Sequence, residues 1–379
     1  MSEQIPDPEL RALVAALEAG EAGRAQVRAY LNERTAPIIS GETATFLYLG
    51  RPQTQVEVAV TGEWNGWDKA AWLAPAGTSG LYWRVEHLHP AARVEYQFRV
   101  NGRVRGDGLN PHEGIRETWG PKSALIMPDY RPAPEVTPRP GVPQGQVTEH
   151  MLTSPALGQT RQVLVYTPPG DAPVGGYPVA VFHDGGDYLE KAQARTVLDN
   201  SIADGAIPPL LGVFLPPLDR RREYGRQPDP YVQFCASELP IFLRAHYPVA
   251  SSPQRWVTMG ASLGGLISVY LAWRCPQVYG WALPRSGAFS IGGDAIIRMM
   301  AATPPVPVGL HCVAGLYELL AWSPIPNSPG DLTAAQRRFV AMLADMGYQH
   351  VAAEYPEGHN WTFWAAHIQD GLAWALGGA

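Results

Sequence analysis

Cysteine is scarce in this chain: three in 379 residues, Cys235, Cys275 and Cys312. None stands in a CxxC spacing, so neither a disulfide framework nor a thiolate zinc site is expected, and the pattern fits reduced, buried thiols of a cytosolic protein. Charge is sparse too: Asp, Glu, Lys and Arg make up 17% of the residues, against about 25% in an average soluble protein. The 29 basic residues are scattered apart from Arg220-Arg221-Arg222, and the net charge is −6. That excludes the clustered basic footprint of a nucleic-acid binder. No apolar run approaches the roughly 18 residues a membrane helix needs, so no membrane partner is expected. The opening residues carry Glu3, Asp7 and Glu9 and no basic stretch followed by an apolar one. No secretion signal is therefore expected, and the protein is placed in the cytoplasm.

What the chain does have is enough apolar material for a core, 46% of its residues. Its length suggests two domains. Asp7 to Glu33 reads as helix, since Leu10, Leu13, Val14 and Leu17 share one face and Gly20 and Gly23 interrupt it. From Glu42 to about Ile126 the pattern turns to short alternating strands, at Thr43–Leu49, Gln55–Thr61, Leu81–Leu88 and Arg93–Val100. That argues for a β-sandwich. Six prolines between Pro128 and Gly145 predict a stiff, extended linker, since Pro supports neither helix nor central strand. After Gln146 strands and helices alternate. Strands are expected at Arg161–Thr167, Pro178–His183, Pro209–Leu215, Trp256–Met259, Gly280–Pro284, Val308–Gly315 and Val351–Tyr355. Helices are expected at Tyr231–His246, Leu263–Trp273, Leu332–Met346 and Trp361–Leu376. This is an α/β domain with a mostly parallel sheet. The predicted organisation is a helical segment over 1–40, a sandwich over 41–127, a linker over 128–145 and an α/β domain over 146–379.

The chain contains one GxSxG, Gly260-Ala261-Ser262-Leu263-Gly264, between a predicted strand and a predicted helix. A nucleophile elbow needs that setting, because the serine must sit at a sharp turn with its Oγ exposed. A Gly-rich turn with a capping serine is the plainer alternative. A serine hydroxyl needs a base, and four histidines follow it. His311 lies within a strand, His350 just before one, and His367 on the last helix, facing solvent. His359, in the loop after Val351–Tyr355, stands at the carboxyl end of a strand, where open α/β sheets place their sites. The acid that orients it is Glu318, after the strand Val308–Gly315, or else Asp331, which reads equally as a helix N-cap. Oxyanion donors are expected from the amide of Leu263 and from Gly185 or Gly186 in His183-Asp184-Gly185-Gly186. Arg222, in the Arg220–Tyr224 run, and Arg285 are candidates for an anionic substrate. A solvated loop is the commoner fate of such arginines. Trp361 and Trp364 suit either an aromatic acyl group or the core. No cofactor or metal ligand set is expected.

Two pieces of the predicted sandwich, Trp64-Asn65-Gly66-Trp67-Asp68 and Tyr96–Gly102, resemble immunoglobulin-like early-set modules. Further on, HDGG at 183–186, Arg-Glu-Tyr at 222–224, GASLGG at 260–265, RSGAF at 285–289, AGLYE at 314–318 and EGHNW at 357–361 occur in one order. That order resembles the enterochelin (ferric enterobactin) esterase branch of the esterase D-like α/β-hydrolases. The chain departs from that pattern at Arg285, where members of that branch carry Gln before the Ser-Gly pair. The resemblance implies a Ser262–His359–Glu318 triad and hydrolysis of a small ester, the ferric catecholate siderophore, in the cytoplasm. Fe(III) belongs there to the substrate. A feruloyl or acetyl esterase of glycan esters shares most of these motifs, with the sandwich then a carbohydrate binder. A non-catalytic binding protein on a hydrolase scaffold is the alternative of another class. The sandwich itself reads equally as ligand binder, lid or the dimer surface of a homo-oligomer.

Overall fold

The structure, a computed structural model, describes residues 2–52, 56–67, 69–115, 120–319 and 331–377. Gln55, the start of a predicted strand, and Asp68, the end of the Trp64–Asp68 motif, lie outside the described residues. The chain folds as two compact units. The first holds the described residues up to Arg131 together with 316–319 and 355–359, and the second holds the described remainder.

The first unit opens with the helices Pro8–Ala19 and Arg24–Asn32. Asp7 caps the first by accepting from the Leu10 amide at 2.6 Å, and Gly20 ends it at φ 77°, a left-handed cap that glycine adopts without a Cβ penalty. Leu10, Val14 and Leu17 are the buried face, as their spacing predicts. Nine strands follow among the described residues: β1 (Ile38–Ser40), β2 (Thr43–Leu49), β3 (Val58–Gly62), β4 (Ala71–Trp72), β5 (Ala74–Pro75), β6 (Leu81–His87), β7 (Arg93–Val100), β8 (Arg103–Arg105) and β9 (Ser123–Ile126). They form two antiparallel sheets, β1-β2-β6-β5 and β4-β3-β7-β8, with β9 also on β7. Phe46 and Tyr82 from one sheet share a buried cluster with Val60, Tyr96 and Phe98 from the other. The Phe46 ring meets Tyr96 edge-on at 4.9 Å.

The second unit is built on β10 (Gln146–Ser154), β11 (Gln159–Thr167), β12 (Val179–His183), β13 (Leu211–Leu215), β14 (Trp256–Ala261), β15 (Trp281–Arg285), β16 (Gly309–Gly315) and β17 (His350–Tyr355). Their order in one sheet is β10-β11-β13-β12-β14-β15-β16-β17. The β10 and β11 pairings are antiparallel, and the steps from β13 through β12, β14 and β15 to β16 are parallel. Every residue of β12, β13 and β14 is buried, the fate of parallel strands covered on both faces.

Most predicted strands of this sheet appear within a residue or two. The sequence reading has no counterpart for β10. It is an edge strand of mixed burial, paired to β11 over nine residues, and its polar composition carries no burial signal. The helix expected over Tyr231–His246 is interrupted by a π-turn at Phe234–Glu238. The last helix breaks at His367 into Trp361–Ala366 and Ile368–Leu376. The proline-rich stretch is hydrogen-bonded to the helix Ala194–Ala203: the Asn200 side-chain Nδ2 donates to the carbonyls of Glu135 and Thr137, and Arg139 pairs with Asp204 at 2.9 Å. Among the described residues no helix is long and apolar enough to cross a membrane.

Candidate active site

Ser262 stands where β14 gives way to the helix Leu263–Arg274, at φ 59°, ψ −118°. A serine reaches that backbone region only under constraint, at a cost of about 1–3 kcal/mol. The constraint is visible. Its amide donates to the Arg285 carbonyl at 2.9 Å, and its own carbonyl accepts from Ala288 at 3.0 Å and Leu266 at 3.1 Å. The turn closes only because Gly260 has no Cβ: one there would lie 2.4 Å from the Gly264 carbonyl oxygen. Strand, strained serine and helix are the geometry of a nucleophile elbow.

Beside it, the end of β12 carries His183-Asp184-Gly185-Gly186. Asp184 is left-handed, at φ 59° and ψ 39°, and opens the short helix Gly185–Glu190. Gly185 is required, since a Cβ would come within 2.2 Å of the Leu215 amide nitrogen. The amides of Gly185 and Gly186 are therefore first-turn donors, of the kind a helix leaves without intrahelical partners. Three contacts fix this loop. The Asp184 amide donates to the Tyr224 hydroxyl at 3.0 Å. Arg220 forks onto the Asp184 carboxylate through Nε at 2.7 Å and Nη2 at 2.8 Å, and Nη2 also donates to the Ala261 carbonyl at 3.1 Å. Burial pushes the Asp184 carboxyl above its ordinary value, and Arg220 pulls the other way. His183 lies beneath, fully buried between Tyr231 Oη at 2.8 Å and Thr258 Oγ1 at 2.7 Å. Burial, with Arg161 nearby, drops it to about 3, so it stays neutral.

In the first unit, Glu318 and His359 meet. His359 Nδ1 lies 3.2 Å from Glu318 Oε2. The Glu318 side chain is fully buried, and the His359 side chain is 15% exposed. A carboxylate only accepts, so Nδ1–H is the donor of this bond. The rival acid Asp331 is spent otherwise. It caps the helix Leu332–Asp345 by accepting from the Ala334 amide at 2.8 Å.

The remaining candidates fare unevenly. Arg222 is exposed, and its Nε donates to Gln227 Oε1 at 2.9 Å. Arg220, two residues earlier, is the arginine of that run that reaches the Ser262 elbow. Nothing in the local sequence distinguishes Arg220 from its neighbours Arg221 and Arg222. Arg285 does not fit a substrate contact. It is wholly buried, and its guanidinium donates to the carbonyls of His311 at 3.0 Å and His367 at 2.5 Å. The physical reason is register: residue 285 ends β15 with its side chain sealed among His311, His367 and Asp370. His367, expected to face solvent, is likewise buried, with Nδ1 3.0 Å from Asp370. Trp361 is buried edge-on against Tyr188 at 5.2 Å and Trp364 at 4.8 Å. Trp364 donates through its indole to Ser286 Oγ at 2.8 Å.

A family model described as a putative esterase matches residues 154–375, the stretch that carries this elbow and its loops. The chain belongs to the putative esterase family. Among known members, the iron(III) enterobactin esterase of Dickeya dadantii is 22% identical over 233 residues, 59% of this chain and 54% of that one. The chain spans about half the length of the curated enterobactin esterases it matches. In fold it is similar to the crystal structure of ferric enterobactin esterase from Salmonella typhimurium: TM-score 0.76 at 19% identity, covering 92% of this chain and 98% of that one. A ferulic acid esterase from Anaeromyces mucronatus is similar over 64% of this chain and 95% of its own, with TM-score 0.51 at 15% identity. This putative esterase thus has an α/β-hydrolase fold with two further sheets in its first unit.

Proposed function

We propose that this esterase hydrolyses carboxylic esters through Ser262, His359 and Glu318, and that its substrate is a catecholate siderophore. The observation that carries the reading is the strained backbone of Ser262 at the strand–helix turn. Such strain persists only where surrounding contacts hold it, and it clusters at reactive centres. In this mechanism Ser262 Oγ adds to the ester carbonyl carbon as His359 Nε2 takes its proton. Glu318 holds the ring and stabilises the imidazolium. The amides of Leu263 and of Gly185 or Gly186 receive the oxyanion. The intermediate collapses, the alcohol leaves with the proton from His359, and an acyl-enzyme remains. Water then adds through the same base, the acid departs and Ser262 recovers its proton. The Fe(III) of a loaded siderophore is cargo, and no step passes through it.

The siderophore choice is supported by the enterobactin esterases among the relatives and by the similarity in fold over both units. In this reading the paired sheets of the first unit are an immunoglobulin-like, early-set sandwich and the enzyme works in the cytoplasm. Arg285 has no part in substrate binding, while Arg220 borders the elbow of the second unit.

The test is a product assay with ferric enterobactin beside methyl ferulate, comparing wild type with Ser262→Ala. Release of dihydroxybenzoyl-serine that depends on Ser262 supports the reading. Ferulate release without siderophore cleavage moves the enzyme to glycan esters. Turnover unaffected by Ser262→Ala overturns the serine mechanism.

A further inference from the structure

The loops that carry His359 and Glu318 pack with the N-terminal sheets. Residues 316–319 and 355–359 pack with the first unit. Strand β7 reaches them directly: Arg93 forms a parallel bridge with Glu357, and its amide donates to the Pro356 carbonyl at 3.2 Å. The two loops are laced together, Leu316 amide to Tyr355 carbonyl at 2.7 Å and Tyr317 amide to Glu357 carbonyl at 3.0 Å. Tyr317 then anchors both. Its ring packs on the core between the two N-terminal sheets, and its hydroxyl accepts from the His89 amide at 2.9 Å.

The tightest of these contacts is at Gly358, one residue before His359. The carboxylate of Glu63 lies so close that a Cβ on Gly358 would come within 2.0 Å of it. Glu63 is 2% exposed, an unusual place for a carboxylate, and sits in the turn that begins the Trp64-Asn65-Gly66-Trp67 motif. Its Oε2 also accepts from the Glu95 amide on β7 at 2.8 Å. Burying a carboxylate is costly unless it is hydrogen-bonded, and this one is held against the His359 loop by its bond to β7.

We propose that Glu63 and Gly358 are positioning residues for the general base. The N-terminal sheets, through the Glu63 carboxylate and β7, set the place of His359 and Glu318. The inference rests on His359 being the base.

The experiment uses the full chain and an aryl ester, with Glu63→Gln, Gly358→Ala and His359→Ala. A displaced base loses rate steeply, about tenfold or more for a shift approaching 1 Å. Both positioning variants are expected to lose kcat by that factor with KM unchanged, and to retain the wild-type melting temperature within a few degrees. The low-field proton resonance of the His359 ring, identified by its absence in His359→Ala, should shift or vanish in both. Should Gly358→Ala fail to fold, Glu63→Gln decides, because it keeps the shape while removing the charge and replacing one acceptor oxygen with a donor. Folded variants with wild-type kcat and an unmoved resonance, beside an inactive His359→Ala, overturn the inference and leave the triad standing. A fully active His359→Ala overturns the triad itself.

Discussion

Arg220 and Asp184 form a forked ion pair, 2.7 and 2.8 Å, and the same guanidinium reaches the Ala261 carbonyl at 3.1 Å. One side chain thus ties the loop that offers Gly185 and Gly186 to the residue preceding Ser262. Arg220→Ala should cost about 1–3 kcal/mol, less than a fully buried pair because Arg220 is partly exposed. It should also lower kcat about tenfold to a hundredfold by loosening the loop in which the proposed mechanism places its oxyanion donors. Arg220→Lys should recover little of either, since an ammonium cannot span both oxygens and the carbonyl. Thermal melts and steady-state kinetics check both effects.

Strain at Ser262 makes a second prediction. Ser262→Ala and Ser262→Gly should both be inactive, with losses on the order of 10⁴-fold or more. They should differ in stability: at φ 59° glycine is at ease and alanine is not, so the glycine variant should be more stable by about 1 kcal/mol. Equal melting temperatures would mean that the elbow is not strained.

The two acids considered for the triad separate cleanly. Glu318→Gln should reduce kcat by on the order of 10²–10⁴-fold, because an amide does not stabilise the imidazolium. Asp331→Ala should leave kcat alone and cost about 1 kcal/mol, the worth of an N-cap. Were the effects reversed, Asp331 would be the acid.

Glu357 supplies a pH dependence. Burial, opposed by Arg93, raises its carboxyl from 4.5 to about 7. The folded value lies above the unfolded one, so the native state holds the proton between the two, and stability is lost as pH rises through that window. Glu357→Gln mimics the protonated form. It should be neutral near pH 4 and stabilising, relative to wild type, near pH 8. Denaturant unfolding at the two pH values checks the sign.

Much of this was readable before any coordinates. The parallel strands announce themselves because burial on both faces demands unbroken apolar runs, as in Val179–His183. The elbow is legible because its glycines are a local steric need, settled within five residues. Edge strand β10 was not legible, since an edge with one wet face tolerates polar residues. The arginines were misread for a related reason. Arg220, Arg222 and Arg285 are chemically alike, and only the turn of the backbone decides which meets a carboxylate, which meets solvent and which is sealed in the core.

The sequence alone therefore determined the local chemistry: a serine between small residues after a buried strand, a histidine in a loop after a later strand, and helices with their caps. Each depends on neighbours within a few residues, where sterics and periodicity act directly. Tertiary structure alone decided the long-range pairings. Glu318 rather than Asp331 faces His359 across 41 residues of chain, and Arg220 pairs with Asp184 across 36. Glu63, almost 300 residues earlier in the numbering, abuts Gly358. Such contacts are set by which sheet each loop packs against, and no periodicity in the chain encodes that.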